Sequence, residues 1–335
     1  NWSENLNPHF FAYGQFPLYL AYFSALLYNL IPWIKIKFID TQEAIFFLRF
    51  WSVLAGVGTV YLVYAISRRL ISNSQKLSPI TYHLSPIIAA LLAAFTPGLI
   101  QISHFGTTES LLSFFFLLIL FLSIKILENN KTKEYFFLGI TLGLAIGTKI
   151  SAFAFGFPVF LVFIIKLANI FKNKNKLRNI GKLFLNNFAL LVLLALLVLL
   201  SSPYLVLAFK ESRGTLLYET SLATGQSKVF YTRQFINPIP VLFQSQKIFP
   251  FVLGWPIFIL GILGLFLSII NLFNKRKSQR RNCTLYILHF TFWSYFLSQA
   301  FLFTKWTRFM SPIFAFFPIF AGYFLSHLSY LRRLR

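Results

Sequence analysis

Acidic residues are the first scarcity. Asp and Glu together fill 8 of 335 positions, against 31 for Lys and Arg. Charged residues of both signs make up only 12%, about half the share of an ordinary soluble domain. With 57% hydrophobic residues and a mean hydropathy of +0.69, that deficit excludes a soluble globular chain. Cysteine occurs once, as Cys283, so an internal disulfide is excluded and no metal-ligand cluster can be read from spacing. A cleavable signal peptide is also missing. The chain opens without Met on the polar, aromatic stretch NWSENLNPHFFAYGQFPLY, so a preceding segment is expected.

What is present is grease in long runs, at 16–33, 44–66, 84–102, 110–127, 135–148, 151–171, 183–207, 249–273, 284–304 and 309–330. Phe alone supplies 44 residues. Apolar stretches near 20 residues match a hydrocarbon core about 30 Å thick. In lipid the backbone must satisfy its own hydrogen bonds, so such runs become helices. The expectation is an all-α polytopic membrane protein forming a single domain over 1–335.

The net charge of +23 does not indicate nucleic acid, because the basic residues sit in short clusters between the apolar runs. Connectors 67–83, 125–134, KNKNKLRNIGK (172–182), NKRKSQRRN (274–282) and the terminal RRLR are basic and alternate along the chain. Together with Lys166 they hold 20 of the 31 cations, which assigns them to the cytoplasmic side. The opposite face then receives 103–109, the turn at Lys149, the long loop 208–248 and KWTR (305–308). Parity adds one constraint. The run 16–33 is bounded by Pro17 and Pro32 and rich in Tyr, so it reads as an outer juxtamembrane element within the segment 1–43. Nine spans remain.

On that outer face the rare ionisable residues collect. Glu109 follows Thr108 at a helix start, where Thr can cap and an acid suits the dipole. A carboxylate at membrane depth is also costly and usually belongs to a site, and His104 is close in sequence. Lys149 interrupts FFLGITLGLAIGTKISAFAFGF; it either snorkels at a helical hairpin or points a compact charge at a phosphate. Lys305 and Arg308 in FTKWTRFMSP offer the same choice. The 41-residue loop 208–248 is long for a connector. Its Tyr231, Arg233 and Gln234 suit a sugar or phosphate, or an ordered lid packed by its own aromatics.

The ordered set NPHFFAYGQFPLY, LRFWSVLAGVGTVYLVY, HFGTTESLLSFF, LGLAIGTKIS, VFYTRQF and KWTRFMSPIFAFFPIFAGYFL resembles glycosyltransferase family 39 over nearly the whole chain. The resemblance implies a GT-C fold that takes a sugar from a polyprenyl-phosphate donor to a protein, lipid or glycan acceptor outside the cytoplasm, at the plasma membrane. It also implies a first outer loop with juxtamembrane helices. Under it, Lys149, Lys305 and Arg308 hold the donor phosphate. Glu109, with His104, takes an acceptor-side or metal-side role, and His9, Tyr13, Gln15, Tyr231, Arg233 and Gln234 line the substrate.

The family's main catalytic aspartate falls upstream of Asn1, and Gly14 and Gln15 stand where relatives often carry an acid and a lysine. A divalent cation is therefore left open. Glu4 is a candidate stand-in for the aspartate. The competing classes are a lipid-carrier flippase or transporter, which would place its charges near the bilayer midplane and repeat its halves, and a non-catalytic relative.

Overall fold

The structure, a computed structural model, describes residues 6–31, 41–72, 79–171, 176–273 and 279–331. Glu4 and parts of the basic connectors, at 73–78, 172–175, 274–278 and 332–335, lie outside the described residues. All regular structure among the described residues is helical. In chain order the helices are α1 Phe16–Asn29, α2 Thr41–Ser72, α3 Pro79–Ala94, α4 Pro97–His104, α5 Thr108–Asn129, α6 Thr132–Thr148, α7 Phe157–Phe171 and α8 Lys176–Ser201. They continue with α9 Tyr204–Leu207, α10 Phe209–Thr224, α11 Phe249–Leu253, α12 Trp255–Phe273, α13 Gln279–Ala300, α14 Ser311–Phe314 and α15 Phe316–Leu331. Tight 3-10 turns cover Ile150–Gly156, Phe230–Phe235 and Thr307–Met310.

Six segments among the described residues are long and apolar enough to cross a bilayer: Gln42–Ile71, Thr108–Asn129, Ile150–Phe171, Arg178–Ser201, Trp255–Phe273 and Thr307–Leu328. A seventh is a broken pair, His83–Ala94 and Pro97–His104, bent by 56°. Pro97 causes the break: Thr96 before it is extended, at ψ 115°, because the ring disfavours helical backbone at the preceding residue. The count of nine expected spans is thus reached only by adding two weaker helices. The 17-residue α6 rises about 26 Å, and α13 interrupts its apolar residues with Thr291, Ser294, Ser298 and Gln299. The 14-residue α1, at about 21 Å, is too short to cross. It leans on the start of α2, where Trp51 Nε1 donates to Ser24 Oγ at 2.8 Å.

The bundle is organised around α5, which has the greater part of its length buried. Phe116 on α5 is fully buried and meets the rings of Phe155, Tyr295 and Phe316 at 4.5, 5.0 and 5.7 Å. Without a hydrophobic drive between helices in lipid, close approach by small residues and polar contacts must hold the bundle. A Cβ on Gly264 of α12 would fall 1.9 Å from the Phe320 carbonyl of α15. Asn271 Nδ2 donates to Tyr323 Oη at 3.1 Å across the same pair, and Ser268 meets His289 Nε2 at 2.8 Å. At the end of α5 away from Glu109, Glu128 pairs with Arg69 of α2.

A junction of backbone and buried side-chain hydrogen bonds pins the opening segment to the bundle. Gly14 N–H donates to the Thr148 carbonyl at 2.9 Å. Gln15 N–H donates to Ser202 Oγ at 2.8 Å, and that hydroxyl donates to the Gly147 carbonyl at 2.8 Å. Gln15 Oε1 then accepts from Tyr204 N–H at 3.0 Å. The opening segment is thereby stitched to the last turn of α6 and to the break between α8 and α9. A Cβ on Gly14 would lie 1.9 Å from the Gly147 carbonyl, a backbone clash that demands glycine there, and one on Gly147 would lie 2.0 Å from Ser201 Oγ and displace that hydroxyl.

Gly264→Ala is expected to lower the thermal unfolding midpoint in detergent, at a cost of ~1–3 kcal/mol from overpacking. Gly181→Ala, whose new methyl group would have no atom within 4 Å, should leave the midpoint unchanged or slightly raised. Ser202→Ala orphans a buried N–H and a carbonyl and should cost about 1–3 kcal/mol in the same melt.

Candidate active site

The junction at Gly14 and Gly147 sends two neighbours, Tyr13 and Lys149, into one cavity of about 360 Å3. Lys149 sits in the turn after α6 with extended backbone, φ −159°. Its Nζ lies 5.0 Å from the centre of the Tyr13 ring and 5.4 Å from that of Phe309. Arg308 enters from the 3-10 turn Thr307–Met310, donating Nη1 to Tyr13 Oη at 3.2 Å. Its guanidinium carbon is 5.8 Å from both the Trp306 and Phe309 ring centres. Burial pushes the Lys149 ammonium below the usual lysine range; Glu109 opposes that shift and Arg308 adds to it. Tyr13 is held above its ordinary value mainly by burial, with Arg308 pulling the other way.

Neither cavity cation has a carboxylate within ion-pair distance among the described residues. Aromatic faces hold them instead, and cation–π contact leaves the charge available to a ligand.

Glu109 stands behind the cavity wall in the first turn of α5. It is 5% exposed, and its Oε1 has no hydrogen-bond partner. Its field reaches Tyr13, Lys149 and Tyr295, so it shares an end of the bundle with Lys149. Thr108 does not cap this helix. The capping position falls to Thr107, whose side chain makes no cap bond, because Thr108 already has helical backbone.

Several expected residues go elsewhere. His104 is exposed, with Nδ1 3.0 Å from the Ile100 carbonyl of its own helix, so the structure does not bring it to Glu109. Lys305 is buried outside the cavity lining. Its Nζ donates to the Leu302 and Phe303 carbonyls at 2.9 and 3.4 Å, satisfying the turn that ends α13. Gln15 is fully buried in the junction, and His9 faces Glu211 at 3.3 Å on an exposed rim.

The 208–248 segment is an ordered cover. Phe235 packs on Trp306 with ring centres 4.8 Å apart, and Thr232 Oγ1 closes its turn by accepting from Val229 N–H at 3.1 Å. Tyr231 lies 6.2 Å from Trp306, ring to ring. Arg233 and Gln234 are exposed, Gln234 donating back to the Tyr231 carbonyl at 3.0 Å. None of Tyr231, Arg233 and Gln234 lines the cavity.

Sequence reading missed the residues that do. Leu216, Glu219, Thr220 and Ala223 of α10 all line the cavity, at the i, i+3, i+4, i+7 spacing of one helix face. The helix is fixed there because Phe303 N–H donates to the Ala223 carbonyl at 2.9 Å, and Gly225, at φ +80°, ends it against the Phe303 ring. An acid on the polar stretch of an acid-poor chain was the available signal.

No three His, Cys, Asp or Glu side chains gather as a metal-binding group among the described residues. Glu219 is the one acid among the described residues that line the cavity.

Comparison with known proteins places this architecture. The chain covers 52% of ArnT from Cupriavidus metallidurans in the apo state, with 97% of its own length aligned, 15% identity and a TM-score of 0.50. It covers 43% of the archaeal oligosaccharyltransferase AglB from Archaeoglobus fulgidus, solved with an inhibitory peptide and a dolichol-phosphate, again with 97% aligned, 17% identity and a TM-score of 0.57. An Archaeoglobus fulgidus oligosaccharyltransferase solved with Zn and sulfate gives 16% identity and a TM-score of 0.52, with 97% of this chain and 41% of that one covered. The chain thus spans about half the length of these proteins, and at such identities the likeness shows a shared membrane-embedded, multi-pass helical fold. No curated protein matches the sequence. The family model described as dolichyl-phosphate-mannose-protein mannosyltransferase matches residues 26–209, more than half of the sequence, and the chain belongs to that family.

Proposed function

We propose that this protein transfers a sugar from a polyprenyl-phosphate donor to an acceptor on the extracytoplasmic face of the plasma membrane. The observation that carries the reading is the pair of cations, Lys149 and Arg308, lining one cavity at one end of the bundle with no carboxylate paired to either among the described residues. A phosphodiester would supply the missing negative charge. The dolichol-phosphate in the AglB complex is a property of that protein, but its lipid-phosphate chemistry is the kind this cavity suits.

In the reaction the bond from sugar C1 to the phosphate oxygen breaks and a bond from C1 to the acceptor oxygen forms. Lys149 and Arg308 offset the charge that builds on the departing phosphate, an electrostatic contribution that is usually large in such sites. Arg308 also holds the Tyr13 hydroxyl at the cavity wall. Glu109 acts from behind, keeping Lys149 protonated against its burial. The proton of the acceptor hydroxyl goes to a carboxylate base, worth about 10²–10⁴-fold in rate; the family resemblance assigns that base upstream of Asn1.

Lys149→Ala in the whole protein is expected to reduce transfer of a radiolabelled lipid-linked sugar by about 10²–10³-fold, the scale of losing one preorganised charge. Unchanged transfer would refute the phosphate role. The pH dependence has a definite sign. Because the ammonium of Lys149 titrates below the usual lysine range, binding of a short polyprenyl phosphate should be strongest on the acid side of that lowered value. It should weaken as pH rises through that lowered value. Lys149→Arg, which does not titrate there, should extend binding further into alkaline pH, as measured by fluorescence titration in detergent.

A further inference from the structure

Glu219 stands on the cavity face of α10, in the wall that also carries Lys149 and Arg308. It is half-buried and has no ion pair of 4 Å or less with either cation. Its charge is nevertheless felt across the cavity, where it favours the protonated forms of Lys149 and Tyr13. The groups that feel its charge are Tyr13 from the opening segment, Lys149 from the turn after α6 and Tyr231 from the 208–248 cover; Arg308 from the Thr307–Met310 turn and Tyr295 from α13 line the same cavity. A carboxylate that merely neutralised the cations would touch one of them. This one faces the space that the ligand fills.

We infer that Glu219 is a specificity residue that disfavours the spent lipid phosphate relative to the sugar-bearing donor, and so drives product release. The inference rests on the phosphate assignment above. The donor is a phosphodiester with one negative charge. Transfer converts it to a monoester, with the acceptor's proton released to the base: lipid–O–PO2(−)–O–sugar and HO–acceptor become lipid–O–PO3(2−), sugar–O–acceptor and H+. At pH 7.5 the monoester is mostly dianionic, since its second pKa is near ~6.

Two cations attract both species. A fixed carboxylate facing the same space repels both, and the dianion more. With the charges facing one cavity, the difference of one unit charge is worth roughly tenfold in affinity. Without such a group, two unpaired cations would hold the product more tightly than the donor, and release would limit turnover.

The test compares two probes of one chain length at pH 7.5 in detergent: a polyprenyl monophosphate and its methyl phosphodiester. Glu219→Gln should tighten monoester binding about tenfold and diester binding by a smaller factor. Glu219→Asp, which keeps the charge, should retain the wild-type ratio. Equal affinity changes for both probes, or none, would overturn the inference. So would weaker monoester binding, and its reversal by EDTA would mean that Glu219 holds a cation bridging to phosphate. If the wild-type protein binds neither probe, the phosphate assignment itself fails, and the two failures are told apart.

Discussion

The contact on which the site depends is a crossing of two backbones with no side chains between them. Gly14 and Gly147 approach so closely that a methyl group on Gly14 would overlap the opposing carbonyl, and Ser202 stitches both strands of chain to the end of α8. Tyr13 and Lys149 are the immediate neighbours of that crossing, one and two residues away. Their ring-to-ammonium contact follows from where the backbones are pinned. In a hydrocarbon surround, where apolar packing gives little net drive, such buried hydrogen bonds and small-residue contacts set geometry more than greasy surface does.

The charges divide into two kinds. Glu128 with Arg69, and Lys305 with two carbonyls, are satisfied within the protein and hold elements together. Lys149, Arg308 and Glu219 have no ion-pair partner among the described residues, and one oxygen of Glu109 has no hydrogen-bond partner. Lys149, Arg308 and Glu219 line one cavity, with the buried Glu109 at the same end of the bundle. Absence of a partner does not by itself mark the site, since Glu134, buried in the first turn of α6 at the other end, also keeps an unpartnered oxygen; what marks it is that three such charges face one space.

The cover formed by 208–248 links the two. Its aromatics, Phe235 against Trp306 and Phe243, fix it to the turn that carries Arg308. Its helix α10 lays Glu219 along the cavity. Movement of this cover would therefore change both the access to the cavity and the field within it, since a single packed unit supplies the wall and one of the charges.

Composition and hydropathy alone determined that this is a membrane bundle, because runs of some twenty apolar residues have no other way to satisfy their backbones in lipid. They also located most of its spans and picked out Lys149, Arg308 and Glu109, since a charge in so apolar a chain is conspicuous wherever it falls. Sequence could not say which charges would be consumed by the fold. Lys305, like Arg308, is a cation in the short polar stretch between two apolar helices, yet it turns back onto carbonyls of the turn that follows α13. Gln15 disappears into the junction, and His104 bonds to its own helix. Nor could sequence bring Glu219 forward, because its partners lie about seventy residues before and ninety residues after it, and only the docking of α10 on the Phe303 turn brings it to the cavity. Period and polarity are local and so legible along the chain; whether a charge is paired is set by contacts between distant segments, which only the folded structure decides.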